Sequence, residues 1–199
     1  MKKKLSKLLL LSLLPLMGLN LAHAEKADSL KPTVIEANQG TTDEVKQTRT
    51  LIGDVVLTRG TLLMKAGRAL VTEDPQGYQY VTFWAAPNAL ATFRQKRDGA
   101  GDQWVEGQAE RIEYDQKSEL VRLISKAKVT RLEGAKTTDE VEGPFISYDS
   151  RKEFFSVQNS TTGESKQGGG RVKMVIQPSQ ANAPAPATPV TPATTPAVK

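Results

Sequence analysis

The chain has 199 residues and no cysteine, so no disulfide, no thiol nucleophile and no lipid anchor attached through cysteine can be part of its chemistry. Its one histidine, His23, falls in a segment that does not belong to the fold. Met1-Lys2-Lys3-Lys4 with Lys7 is a basic start, residues 8–21 are apolar, and Ala22-His23-Ala24 is a small-x-small cleavage site, so residues 1–24 read as a cleaved secretory signal. Pro15 and Gly18 interrupt the apolar run, which is too short for a convincing membrane span. The mature chain is expected to begin near Glu25, outside the cytoplasm. It then lacks both histidine and cysteine, and with them the commonest general base and the commonest metal ligands.

An excess of charge is missing too. Of 27 basic residues, Lys2, Lys3, Lys4 and Lys7 leave with the signal, and the 23 that remain face 22 acidic ones. The whole-chain pI of about 9.4 is therefore mostly a property of the signal, and no nucleic-acid partner is expected. Aromatic residues make up 6% of the chain and all lie between Tyr78 and Phe155, which marks where a core can form. Residues 25–177 are long enough for one domain. Residues 178–199 are rich in Pro, Ala and Thr and hold one charge, Lys199, a composition that reads as an extended tail without packing.

What the domain does have is short alternating strands. Units begin near Ala37, Ala69, Ala109 and Ile146, each a short strand centred on a small residue, a turn and an alternating strand. The alternating halves at 51–59 and 123–131 superimpose, and 80–93 is a looser copy. Turn chemistry at Asp74-Pro75-Gln76-Gly77, Asp98-Gly99, Glu133-Gly134, Thr162-Gly163 and Gly168-Gly169-Gly170 separates stretches rich in Val, Ile, Thr, Phe and Tyr. No helical stripe runs the length of a helix, and residues 38–48 have room for one helical turn at most. An all-β, antiparallel single domain follows.

Because residues i and i+2 of a strand share a face, Val121, Leu123, Ala127 and Val129 share one, and Leu51, Val55 and Leu57 match them. Val81, Phe83, Ala85, Pro87, Ala89, Ala91 and Phe93 continue it if no bulge intervenes. This face mixes large with small residues, as either room between two sheets or tight β corners would require. Arg122, Lys126 and Lys128 fall on the opposite face.

The candidates for catalysis are weak. Asp43-Glu44, Glu73-Asp74 and Asp139-Glu140 are adjacent pairs that point to opposite faces of a strand and sit beside expected turns. The glycine run lacks the Gly-Lys-Ser/Thr ending of a phosphate loop, and Ser165 with Lys166 lies in a loop and not on a helix. No enzyme, metal site or cofactor is expected. Trp84 should lie on the outer face, and Trp104 could stack on a sugar or sit at a membrane interface. Arg59 and Arg131, at equivalent strand ends, read as solvated, with phosphate contact as the alternative.

Gly53-Asp54-Val55-Val56-Leu57-Thr58-Arg59-Gly60-Thr61, Val105-Glu106-Gly107-Gln108-Ala109 running into Ile112-Glu113-Tyr114, and Gly143-Pro144-Phe145-Ile146-Ser147-Tyr148 resemble the repeats of the OstA-like family. The resemblance spans about residues 33–178; the tail and the longer 84–92 segment depart from it. It implies a twisted open β-jellyroll, two sheets in a V, whose apolar interior holds lipopolysaccharide acyl chains. It also implies a head-to-tail periplasmic bridge to related jellyroll proteins of the inner and outer membranes. On strand parity the interior would include Ile35, Val55, Leu57, Phe83, Phe93, Val121, Leu123 and Val129. The pairing edges would include Val34, Val172, Met174 and Ile176, in end strands at 33–37 and 171–177 bracketed by Pro32 and Pro178. The alternative is a non-enzymatic β-repeat module with a filled core that binds polysaccharide or another β protein.

Overall fold

The computed structural model describes residues 27–99 and 101–178; the signal expected at 1–24 and residues 179–199 of the expected tail lie outside them. Twelve strands follow one another: β1 Val34–Glu36, β2 Gln39–Asp43, β3 Thr48–Arg59, β4 Leu62–Glu73, β5 Gln79–Trp84, β6 Ala91–Lys96, β7 Gln103–Ala109, β8 Arg111–Asp115, β9 Leu120–Glu133, β10 Lys136–Asp149, β11 Phe154–Gln158 and β12 Lys173–Ile176. Every pairing is antiparallel.

The four long strands change partners halfway, and this makes two sheets out of one continuous ladder. β3 pairs β2 with its first half and β1 with its second. β4 pairs β6 and then β5, β9 pairs β8 and then β7, and β10 pairs β12 and then β11. Each bends where it changes. In β3 the bend is a bulge at Gly53 and Asp54, with φ of 81° and 45°; in β9 it is at Ser125 and Lys126, with φ of 65° and 53°; in β10 the register shifts between Gly143 and Phe145. At the bend of β4, Gly67 lies so close to the 85–90 loop that a Cβ there would come within 2.7 Å of the Ala86 backbone.

These bends join into a spine along one side of the sandwich. The Asn38 N–H donates to the Gly53 carbonyl, Ala85 to Glu110 and Glu110 to Ser125, each at 2.9 Å. The opposite side is a mouth, where the turns after β3, β6 and β9 face those after β2, β4, β8 and β10.

Several expectations are corrected. Residues 38–48 form no helical turn; they make β2 and the start of β3, with a turn in which Asp43 accepts from the Val45 and Lys46 amides at 3.1 and 3.0 Å. The alternation from Val81 to Phe93 is not one strand, because β5 ends at Trp84 and Pro87, Asn88 and Ala89 are exposed loop. Ala69 and Ile146 sit inside long strands, not short ones. Asp139 and Glu140 lie within β10, facing Arg131 at 3.8 Å and Lys128 at 2.7 Å across the ladder. Trp84 does lie half-buried on the outer face, under the Arg68 guanidinium at 4.9 Å, and Trp104 stacks with Arg94 at 4.3 Å.

Candidate functional site

The inner faces of both sheets merge into one apolar interior. Val55, Leu57, Phe83, Phe93, Val121, Leu123 and Val129 are buried in it, and Ile35 packs against it half-buried, so the structure brings together all eight residues assigned to the interior. The sheets interlock here. Phe93 of one faces Tyr148 of the other with ring centroids 6.3 Å apart, and Tyr148 stacks on Phe155 at 4.5 Å. Gly107 makes this possible: a Cβ at that position would lie 2.1 Å from the Phe93 ring and 2.8 Å from the Leu123 side chain. Small residues therefore do not leave empty room between the sheets, as their alternation suggested; over Gly107 the space is taken by Phe93 from the neighbouring strand of the same sheet and by Leu123 from the facing one. An apolar recess of about 150 Å³ opens beside Val129, Val141, Phe155, Met174 and Ile176.

Toward the mouth the same inner faces turn polar. Arg59 and Arg131 continue the parity of Val55-Leu57 and Ala127-Val129, so they point between the sheets and are not solvated strand ends. Arg59 is buried and donates to the Tyr114 hydroxyl at 2.9 Å and to the carbonyls of Ser29 and Lys31. Burial pushes the Tyr114 phenol up, Arg59 partly opposes this, and the hydroxyl stays neutral at ordinary pH. Asp28, also buried, accepts from the Thr61 N–H at 2.8 Å and hydroxyl at 2.5 Å. At the other end of the mouth Arg97 pairs with Glu153, and Arg131 donates to the Glu153 carbonyl at 2.9 Å with its guanidinium 4.5 Å from the centre of the Phe155 ring. Asp28, Arg97, Tyr114 and Glu153 were missed from the sequence. Tyr114 follows the inner-face parity of Ile112 within β8, and the same parity carried one residue beyond β6 and one before β11 reaches Arg97 and Glu153; Asp28 lies before the first strand, where no alternation marks it.

The array ends in strands with one free edge each among the described residues. β1 pairs with β3 and β12 with β10, leaving one side of each free among the described residues. Val34 is 50% exposed, Val172 41%, Met174 55% and Ile176 71%, so the four edge residues assigned from the sequence are exposed, though the end strands are shorter than expected. β2 and β11 form matching edges on the second sheet. Among the described residues no carboxylate cluster could hold a metal ion, and no helix is long and apolar enough to cross a membrane.

Comparison with known proteins agrees with this architecture. The chain is 28% identical over 159 residues to the lipopolysaccharide export system protein LptA of Haemophilus influenzae, covering 80% of this chain and 84% of that protein. It is 27% identical over 164 residues to the protein of the same name from Escherichia coli K12, covering 80% and 78%. The crystal structure of LptH, described as the LptA homologous periplasmic component of the lipopolysaccharide transport device of Pseudomonas aeruginosa, matches with a TM-score of 0.65 and 26% identity over 76% of this chain and 99% of that one. Residues 34–154, from β1 to the start of β11, match the family described as LptA/(LptD N-terminal domain) LPS transport protein, and the chain belongs to that family.

Proposed function

We propose that the protein is a non-enzymatic periplasmic carrier that holds the acyl chains of lipopolysaccharide between its two sheets and forms part of a bridge from inner to outer membrane. The observation that carries this reading is the single apolar interior running the length of a sandwich whose mouth is closed by side chains. Exposing an acyl chain to water costs about 0.8 kcal/mol per methylene, so one chain of about 12 carbons costs roughly 9 kcal/mol. An apolar path removes that barrier. It gives no direction, since groove and bilayer are equally apolar, and the drive must come from elsewhere.

The interior is packed, so cargo enters by parting the sheets. The spine resists this through backbone hydrogen bonds, whereas a few side-chain contacts span the mouth, and the mouth is the side that opens. The free edges at β1–β2 and β11–β12 fit head-to-tail addition of further copies or of related jellyroll domains in inner- and outer-membrane lipopolysaccharide transport proteins.

The filled interior itself favours one other reading, a β module for polysaccharide or another β protein whose core never opens. Extraction of lipid from gently purified protein separates the two. Co-purifying lipopolysaccharide is expected; its consistent absence would favour the module.

A further inference from the structure

Arg97 and Arg131 stand side by side at the mouth with more hydrogen-bonding capacity than their partners use. Arg97 pairs with the Glu153 carboxylate and donates to the Gln103 side chain at 3.2 Å. Arg131 donates to the Glu153 carbonyl at 2.9 Å, and its guanidinium lies 3.8 Å from Asp139 and over the Phe155 ring. The Nε atoms of both arginines are buried without an acceptor. An unpaired buried donor is costly, and two in neighbouring guanidinium groups mark a place where a second set of anionic oxygens would be favoured. Glu153 is a strained occupant: it is a non-glycine residue at φ 50°, capping the 3-10 turn Ser150–Lys152. Immediately inward lies the apolar recess beside Val129, Phe155 and Met174.

We propose that Arg97 and Arg131 form a binding site for a phosphate group on the head of the carried lipid, and that the Glu153 carboxylate holds this site closed until the lipid displaces it. The proposal rests on the carrier reading and gives it a recognition element. Phosphate suits the pair because it presents three acceptor oxygens to two planar forks, where a carboxylate has two. The adjoining recess takes the first methylenes of an acyl chain while the phosphate stays at the rim. Exchange of Glu153 for phosphate also breaks an Arg–carboxylate contact across the mouth, so recognition of the head group and opening of the interior are one event. Self-occupation lowers apparent affinity by the fraction of molecules in which the site is open.

The test uses the mature chain and measures binding of lipopolysaccharide and of the same lipid enzymatically dephosphorylated, with inorganic phosphate as a third ligand. Glu153→Gln is expected to tighten binding of the phosphorylated lipid about tenfold by freeing the site, and to tighten the dephosphorylated form by a clearly smaller factor, through the weaker contact across the mouth alone. Arg97→Gln and Arg131→Gln are expected to weaken binding of the phosphorylated form alone, by about tenfold each. Melting curves show which variants are folded; Arg97→Lys, which keeps the charge and loses the fork, is the conservative second variant and should show a partial loss. Equal effects on both lipids would reduce the cluster to a latch and overturn the proposal while leaving the carrier reading intact. Inorganic phosphate that shifts the Arg97 and Arg131 Nε–H resonances, while both lipids bind alike, would make this a free-phosphate site and overturn the assignment to the head group. A wild-type protein that binds neither lipid would overturn the carrier reading, and this site with it.

Discussion

Removing residues 171–199 is expected to turn a protein that associates with rising concentration into a monomer that still binds lipid and no longer supports transport. The truncation deletes β12, whose Met174 and Ile176 are more than half exposed and whose outer backbone edge is unpaired among the described residues. It uncovers the first half of β10, where Asp139, Glu140 and Glu142 now form the rim. An edge carrying three carboxylates is poorly suited to pair with a second copy. The interior residues contributed by β3 to β9 are untouched, so lipid binding should persist, weakened by the loss of Met174 and Ile176 from the recess at the mouth. End-to-end addition is heterologous and does not close, so the intact protein should sediment as rods of varied length, and the truncated one should need at least about tenfold higher concentration to associate. If it associates as the full-length protein does, the C-terminal edge is not the joint.

Leu123→Asp is expected to unfold the domain. Leu123 is fully buried in β9, paired with Ile112 and Ile146 and touching the position of Gly107 on the facing sheet. Loss of a buried leucine costs about 2–5 kcal/mol before the carboxylate is counted. An unpaired charge in apolar surroundings adds several more, and the sum rivals the roughly 5–15 kcal/mol that holds a typical domain together. Circular dichroism should show loss of the cooperative β transition. Arg122→Gln, one residue away on the outer face, should shift stability by no more than about 0.5 kcal/mol. A Leu123→Asp variant with the native melting temperature would show that the sheets do not pack against each other there.

How legible the fold was depended on what each bend did to strand parity. In β3 and β9 the interior residues Val55 and Leu57 keep step with Leu51, and Ala127 and Val129 with Val121 and Leu123, because the left-handed bulges leave the two halves an even number of residues apart. Those strands were plain in the sequence. In β4 the interior passes from Leu62 and Met64 to Ala69 and Val71, and in β10 from Val141 to Ile146 and Tyr148, an odd step across Gly67 and across Gly143-Pro144. Period-two counting cancels over such a step, so their length was hidden, and nothing in the alternation alone says that each strand serves two sheets. The converse joined β5 to β6: buried Phe83, Ala91 and Phe93 share one parity, so the alternation ran on across the 85–90 loop. The eight interior residues were readable because burial follows local alternation. The rim was not, since charge at a strand end reads as solvent exposure until a facing sheet is known: Arg59 meets Tyr114, 55 residues away, and Arg97 meets Glu153, 56 away. The edges were readable in β1 and β12 from apolar residues between prolines, and unreadable in β2, whose Gln39-Gly40-Thr41-Thr42-Asp43 has little strand propensity and is held by its pairing with β3.

The most direct test of whether cargo travels between the sheets is photo-crosslinking in cells making lipopolysaccharide, with a photo-reactive residue placed singly at Phe93, Leu123, Arg122 or Lys128. Phe93 and Leu123 point into the interior, while Arg122 and Lys128 alternate with buried neighbours on the outer faces. Lipopolysaccharide should attach at Phe93 and Leu123 and not at Arg122 or Lys128. Equal labelling on both faces, or labelling of the outer positions alone, would contradict carriage through the interior.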